Sequence, residues 1–105
     1  MKTITVQELK VKQDANDDFQ LIDVREPYEI DICTISGDAI PMGDIMNRVD
    51  EIAKDKPVFI HCRSGKRSAA VIDSLERGHG FDNLYNLTGG ILAYASEIDT
   101  SLEQY

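Results

Sequence analysis

The segment His-Cys-Arg-Ser-Gly-Lys-Arg-Ser at positions 61–68 places a cysteine beside a cluster of positive charge. Three of the chain's 11 basic residues lie within positions 63–67, although the whole chain carries a formal net charge of −8. A thiol acts as a nucleophile in its thiolate form, which neighbouring positive charge stabilises. The segment therefore predicts that Cys62 is a reactive thiol. The alternative is a small apolar side chain buried after a strand.

The backbone around Cys62 favours the same chemistry. An apolar run ends at His61, and a helical pattern follows the basic loop. The N-terminus of a helix carries partial positive charge, and a compact loop can point several N–H groups inwards at an anion. Gly65 allows a tight turn and leaves the mouth of the loop without a side chain. These features predict a lowered pKa for the Cys62 thiol and a binding site for an anionic substrate.

The length of the loop separates two chemistries. Cysteine phosphatases encircle a phosphoryl group with a cysteine, five intervening residues and an arginine. Counted from Cys62, that arginine would fall at position 68, which is Ser68, whereas the arginine of this chain is Arg67. The loop is one residue shorter, which favours a single sulfur atom over a phosphoryl group.

Short apolar runs that alternate with helical patterns must position this loop. Such alternation predicts an α/β fold with a mainly parallel sheet covered on both faces. In these sheets, ligands bind where strands end and helices begin, which is where Cys62 lies. The predicted strands are 19–24, 37–42, 56–61 and 83–87. Two helices are predicted to begin near residue 6, after a Thr5–Glu8 capping box, and near Pro27. Three further helices are predicted over 45–52, over 68–78 with Gly78 as the cap, and over 89–98.

The whole chain sets limits on function. Its 105 residues predict a single domain over 1–105, and a composition of 42% hydrophobic and 29% charged residues is typical of a globular protein. The negative charge argues against nucleic acid and anionic membranes as partners. No apolar run has the length of a signal peptide or membrane span, so we expect a cytoplasmic protein.

Neither cysteine belongs to a zinc-binding pattern, and we expect no metal and no cofactor. We interpret Cys33 as a half-buried structural thiol without positive charge around it; the alternative is a resolving thiol. His61 could act as a base, but adjacent strand residues point to opposite faces, which argues against it. Asp23 and Arg25 are interpreted as a structural ion pair, with shaping of the pocket mouth as the alternative.

Three motifs in order resemble the rhodanese family over nearly the whole chain. They are "LIDVREPYE" at 21–29, "VFIHCRSGKRSAAV" at 58–71 and "GFDNLYNLTGGILAY" at 80–94. The resemblance implies a parallel sheet of about five strands flanked by helices on both faces. Between the first two motifs, "EIDICTISGDAIPMGDI" departs from the family's Gly-His-Ile-Pro-Gly-Ala pattern. There it is similar to rhodanese domains fused to enzymes that activate ubiquitin-like sulfur carriers.

The resemblance implies sulfur transfer through a cysteine persulfide. Cys62 would be the catalytic nucleophile, and a small anionic donor such as thiosulfate would supply the sulfur. A thiophilic acceptor, which could be a protein or sulfur carrier, would then take it. Two alternatives stay open: a persulfide-carrying or regulatory module with little free turnover, and a relative of small phosphatases or arsenate reductases. The substrate-binding residues would be Arg63, Ser64, Gly65, Lys66, Arg67 and Ser68.

Overall fold

The computed structural model describes residues 1–105 and contains a five-stranded parallel sheet. In chain order the elements are β1 (Thr3–Ile4), α1 (Val6–Asp14), β2 (Gln20–Asp23), α2 (Pro27–Ile32), β3 (Asp38–Ala39), β4 (Val58–His61), α3 (Lys66–His79), β5 (Leu84–Leu87) and α4 (Gly90–Glu97). The spatial order of the strands is β1-β5-β4-β2-β3, so β4 is central. The α/β fold expected from the alternating pattern is confirmed.

The sheet is covered on both faces because its strands alternate apolar residues between two cores. Val58 and Ile60 of β4 belong to a core of 13 buried residues that includes Val71, Ile72 and Leu75 of α3. Phe59 of β4 belongs to a second core of seven buried residues, which α1 and α4 help to build. A strand buried on both faces shows a continuous apolar run, which is why β4 is visible in the sequence.

Local signals explain where the helices begin. Thr5 and Glu8 form the predicted capping box: the Thr5 hydroxyl accepts from the Glu8 amide at 3.1 Å, and a Glu8 carboxylate oxygen accepts from the Thr5 amide at 2.9 Å. Pro27 opens α2 at a position where its missing N–H costs nothing. None of the helices is long and apolar enough to cross a membrane.

Two predictions about helices are wrong. The segment 45–52 forms two short 3₁₀ turns, Ile45–Asn47 and Val49–Glu51, rather than one α-helix. Arg48 leaves the helical region at φ −128°, ψ 27°, and the two turns still bury the apolar Ile45 and Ile52. Gly78 is not a cap, because α3 runs from Lys66 to His79 and ends at Gly80, which adopts the left-handed conformation at φ +68°.

Candidate active site

Cys62 follows the central strand β4 directly, at the carboxyl edge of the sheet. Residues 62–65 turn from β4 into α3, and β2 and β5 flank β4 on either side. The thiol is buried, with 1% of the residue exposed, and none of the three surface cavities is lined by Cys62. The site is therefore a small cradle around one sulfur atom and not a pocket.

The cradle is made of hydrogen-bond donors at the start of α3. The Gly65 amide donates to Cys62 Sγ at 3.1 Å, and the buried Ser68 Oγ lies 3.4 Å from the same sulfur. Gly65 adopts φ +106°, a conformation that strains other residues, and this turn aims its amide at the sulfur. The geometry suits a sulfur atom that carries negative charge.

These hydrogen bonds decide the ionisation of Cys62. Burial by itself raises the pKa of the Cys62 thiol, but hydrogen bonds from the Ser68 side chain and from the Ser68, Gly65 and Ser64 amides lower the pKa, and the net shift is downwards. The predicted lowering of the pKa therefore has the right direction. Its leading cause is local hydrogen bonding rather than the basic side chains.

Arg67 is bound by a carboxylate on a neighbouring helix. Its guanidinium forms a two-point ion pair with the buried carboxylate of Glu29 on α2, at 2.6 and 2.8 Å. These Arg67 hydrogen bonds, against the opposing effect of burial, hold the pKa of Glu29 well below its usual range, at about 2. Arg67 therefore ties α3 to α2, and its charge is already engaged by Glu29.

Arg63 and Tyr105 meet beside the loop. The exposed Arg63 donates to the main-chain oxygen of Tyr105, and its guanidinium lies 5.0 Å from the centre of the Tyr105 ring. The Tyr105 hydroxyl donates to Glu29 at 2.7 Å and accepts from Arg25 at 3.0 Å. Tyr105 thus joins Arg63 to the ion pairs beneath the loop.

The structure brings some of the predicted substrate-binding residues to Cys62 and not others. Gly65 and Ser68 contact Sγ directly. Ser64 and Lys66 have exposed side chains, as has Arg63, and Arg67 is turned towards Glu29. The loop therefore presents Arg63 and Lys66 at the surface, where they can attract an anion, while the backbone and Ser68 hold the sulfur.

The predicted ion pair of Asp23 and Arg25 is buried and structural. Arg25 Nη2 donates to Asp23 Oδ2 at 2.8 Å and to the main-chain oxygen of Cys33 at 2.8 Å. His61 Nε2 lies 3.8 Å from Asp23 Oδ2, and burial lowers the pKa of His61, which favours the neutral ring. His61 makes no hydrogen bond with the Cys62 side chain, which agrees with the prediction that it is not a base.

The expectation for Cys33 needs correction. Cys33 is buried rather than half-buried, and Arg25 Nη1 lies 4.0 Å from its sulfur, so a positive charge does adjoin it. The sequence around Cys33 does not show this contact, because Arg25 lies eight residues away along the chain.

Sequence reasoning missed three polar residues of the site. Glu29 and Tyr105 hold Arg67 and Arg63, and Asn86 on β5 accepts a hydrogen bond from Ser68 at 2.5 Å. The tail motif contains Asn86, which is the one local signal that could have found it. Glu29 lies 38 residues from Arg67, and Tyr105 lies 42 residues from Arg63. No local pattern in the sequence connects the members of either pair.

The start of α4 closes the back of the loop. The Ile91 and Leu92 amides donate to the main-chain oxygens of Cys62 and Arg63, at 2.9 and 3.1 Å. A Cβ at Gly90 would lie 2.6 Å from the Cys62 oxygen, so only glycine permits this approach. Gly90 of the tail motif thus allows α4 to pack directly against the loop that contains Cys62.

Comparison with known proteins gives a consistent result. The model of the family described as "Rhodanese-like domain" matches residues 5–97. The chain is 38% identical over 98 residues to the "Putative sulfurtransferase YtwF" of Bacillus subtilis, covering 92% of this chain and 93% of that protein. The "Rhodanese-like Domain Protein" of Staphylococcus aureus superposes with a TM-score of 0.82 at 32% identity, covering 100% of this chain and 99% of that one.

Some relatives are longer proteins. The chain is 33% identical over 106 residues to the "Probable adenylyltransferase/sulfurtransferase MoeZ" of Mycobacterium tuberculosis, covering 98% of this chain and 27% of that protein. This chain spans 38% of the length of another curated relative. What such longer proteins do as wholes involves regions that this chain does not match.

Proposed function

This chain belongs to the rhodanese-like domain family, and from that premise we propose that it is a sulfurtransferase that carries sulfane sulfur on Cys62 as a persulfide. The observation that carries the proposal is the sulfur-sized cradle, in which the Gly65 amide at 3.1 Å and the Ser68 hydroxyl at 3.4 Å face Cys62 Sγ. Relatives named sulfurtransferases, such as the one from Bacillus subtilis, support it.

The reaction proceeds in two displacements at sulfur. The Cys62 thiolate attacks the outer sulfur of thiosulfate, an S–S bond forms, and the S–S bond of the donor breaks with its electron pair leaving on sulfite. The product is a Cys62 persulfide. A nucleophilic acceptor, such as cyanide or a thiolate, then attacks the outer sulfur, and the electron pair of the cleaved bond returns to Cys62. Such covalent catalysis divides one transfer into two easier steps.

The charge on the loop suits an anionic donor. Arg63 and Lys66 have exposed side chains on either side of the turn, and they supply positive potential at its mouth. The amides of the cradle, aimed at Cys62 Sγ, stabilise the thiolate that attacks the donor and that forms again when the acceptor removes the outer sulfur. In this proposal the side chains attract the donor and the backbone stabilises the charged sulfur.

The test is the mass of the intact protein after incubation with thiosulfate. We expect one added sulfur atom, located on Cys62 by peptide mapping, and thiocyanate formation when cyanide follows. The Cys62→Ser variant should lose both signals. The Cys33→Ser variant is the matched control, because it removes the other buried cysteine, and it should retain both. Thiocyanate formation by the Cys62→Ser variant at the normal rate would refute the mechanism.

A carrier role with little free turnover is the second candidate, and the burial of Cys62 favours it. With 1% of the residue exposed, the sulfur offers a small target to an acceptor in solution. A protein partner that binds at the carboxyl edge of the sheet could open the loop or insert its own nucleophile. A persulfide that survives cyanide for hours but discharges in minutes to a partner protein would support the carrier role, whereas multiple rapid turnovers with cyanide would exclude it.

A phosphatase-like reaction has less support. A phosphoryl group needs an arginine that is free to bind it, and Arg67 is already bound to Glu29 at 2.6 and 2.8 Å. We therefore expect no hydrolysis of an aryl phosphate that depends on Cys62. Turnover of p-nitrophenyl phosphate by the wild-type protein but not by the Cys62→Ser variant would reverse this ranking.

A further inference from the structure

The Ser68 hydroxyl has one proton and two possible acceptors. Its oxygen lies 3.4 Å from Cys62 Sγ and 2.5 Å from Asn86 Oδ1. Ser68 is fully buried, and these two groups are the hydrogen-bond partners of its hydroxyl. A hydroxyl donates a single hydrogen, and it can therefore serve the sulfur or the amide oxygen but not both at once.

The orientation of the Asn86 amide determines which acceptor holds that proton. Asn86 Nδ2 donates to the main-chain oxygen of Gly65 at 3.1 Å, and a carbonyl oxygen only accepts. The amide nitrogen must therefore face Gly65, which leaves Asn86 Oδ1 facing Ser68. Since Oδ1 also only accepts, Ser68 donates to Asn86, and a protonated Cys62 then donates its S–H to the Ser68 oxygen.

Ionisation of Cys62 reverses this arrangement. When a base in solution removes the thiol proton, the thiolate has no hydrogen to donate and becomes an acceptor. The Ser68 hydroxyl then turns from Asn86 towards the sulfur, so the thiolate gains a donor and Asn86 Oδ1 loses one. A polar oxygen left without a donor in a partly buried position costs free energy, and that cost opposes ionisation.

We propose that Asn86 is a positioning residue that restrains the ionisation of Cys62 by competing with its thiolate for the Ser68 proton. Asn86 acts through Ser68 and does not touch the sulfur. The proposal deepens the proposed function, since it rests on Cys62 being the nucleophile, and it names the residue that sets how much of the nucleophile is present at a given pH.

Other charged groups near Cys62 do not account for this effect. Arg67 of α3 is paired with Glu29 of α2, and Tyr105 joins the same pair. Arg63 and Lys66 of the loop are exposed, and burial lowers the pKa of His61 of β4, which favours its neutral form. β5 contributes the uncharged Asn86 on this side, and α4 reaches the loop through backbone amides.

The test is a double-mutant cycle read by the pH dependence of alkylation of Cys62. The rate with iodoacetamide is measured from pH 5 to 10 for the wild type, Asn86→Ala, Ser68→Ala and the double variant. We expect Asn86→Ala to lower the midpoint by about 0.5–1 pH unit, which raises the rate below the midpoint about 3- to 10-fold. In the Ser68→Ala background the same substitution should leave the midpoint unchanged, because no hydroxyl proton is left to share.

A purely structural role for Asn86 predicts a different pattern. Loss of its hydrogen bond to Gly65 would loosen the loop in both backgrounds and would shift both midpoints equally or raise them, and this result would overturn the proposal. Asn83→Ala is the matched control: Asn83 also bonds main-chain oxygens, those of Ala53 and Lys56, and its removal should not move the midpoint. Because alkylation needs no sulfur donor, its outcome is separate from that of the persulfide experiment.

A measurement on the wild-type protein makes the test independent of how the variants fold. The carbon-13 shift of the Asn86 side-chain carbonyl should titrate with the same midpoint as alkylation, because this oxygen loses its donor when Cys62 ionises. The signal should stay constant in Cys62→Ser. A constant Asn86 signal across the midpoint in the wild type would show that Ser68 does not turn, and the proposal would fail.

Discussion

The two cysteines of this chain are both buried, yet their surroundings differ in kind. Cys62, 1% exposed, has the Gly65 amide at 3.1 Å and the Ser68 hydroxyl at 3.4 Å. Cys33, 8% exposed, ends α2 and has Arg25 Nη1 at 4.0 Å from its sulfur. One sulfur therefore has donors at hydrogen-bond distance, and the other has a guanidinium beside it.

The comparison shows two different ways of placing donors beside a buried thiol. Arg25 already bonds Asp23, and Arg67 already bonds Glu29, so each guanidinium has its own carboxylate. What distinguishes Cys62 is the left-handed turn at Gly65 and the start of α3, which aim uncommitted amides at the sulfur. Amide donors at fixed positions stabilise a thiolate without a counterion that must be shared.

The largest expected effect comes from Gly65→Ala. At φ +106° an alanine is strained, so the turn should relax and carry the amide away from Cys62 Sγ. Loss of a hydrogen bond to a charged group corresponds to about 1.5–3 kcal/mol, or about 10- to 150-fold slower alkylation of Cys62 near pH 7. Peptide mapping after iodoacetamide treatment should show no change at Cys33.

The matched control for that variant is Gly78→Ala. Gly78 lies inside α3, and a Cβ there meets no atom within 4 Å, so alanine should stabilise the fold by about 0.5–1 kcal/mol. The alkylation rate of Cys62 should not change. If Cys62 in Gly65→Ala is alkylated as fast as in the wild type, the Gly65 amide does not explain the difference between the two thiols.

The next effect is on stability, from Glu29→Gln. This change leaves Arg67 without its carboxylate and weakens the hydrogen bond from Tyr105, and we expect a loss of about 1–3 kcal/mol in the free energy of unfolding. The matched control is Glu51→Gln, because Glu51 pairs with Arg48 at 2.6 and 2.8 Å but on the exposed surface. That loss should be below about 0.5 kcal/mol. Equal losses in urea unfolding would contradict a special role for the buried pair.

The same pair makes a prediction about acid. The pKa of Glu29 is about 2 in the folded protein against an ordinary value of 4.5, so the folded state favours the charged form. Its contribution to stability is complete above about pH 4.5 and is lost as the pH falls towards 2. Urea midpoints between pH 5 and 2 should therefore fall less steeply in Glu29→Gln than in the wild type. Parallel profiles would show that Glu29 titrates normally.

A smaller effect is expected from the exposed charges of the loop. The double variant Arg63→Gln, Lys66→Gln should lower the rate of sulfur uptake from thiosulfate about 2- to 5-fold at low salt and weaken its salt dependence. The control Lys54→Gln, Arg77→Gln removes the same charge from other exposed positions and should change the rate little. If both double variants slow sulfur uptake equally, the rate depends on the overall charge of the protein and not on the position of Arg63 and Lys66.

The smallest effect is expected from Cys33→Ser. The serine keeps the size of the side chain, so we expect a stability change within about 1 kcal/mol and normal persulfide formation at Cys62. Intact mass after thiosulfate treatment measures the second quantity. We expect the two thiols to act independently, because they have different hydrogen-bond partners. A loss of the Cys62 persulfide in this variant would contradict that expectation.

Much of the fold follows from the sequence because its signals are local. The continuous apolar run of β4, the Thr5–Glu8 capping box and the turn of the loop at Gly65 each depend on residues close together in the chain. The segment 45–52 shows where such signals fail: its apolar spacing fits a helix, but burial of Ile45 and Ile52 is equally satisfied by two 3₁₀ turns. The spacing of apolar residues indicates which of them are buried, but it does not distinguish an α-helix from two 3₁₀ turns.

Local patterns in the chain are enough to place Cys62 after a buried strand, in a short loop whose amides and positive charges favour a thiolate. Which groups surround that sulfur depends on how the chain folds. Folding pairs Arg67 with Glu29, brings Tyr105 to Arg63 and sets Asn86 beside Ser68. These partners lie 38, 42 and 18 residues apart, and they meet because parallel strands bring their carboxyl ends and the helices that follow them to one edge of the sheet.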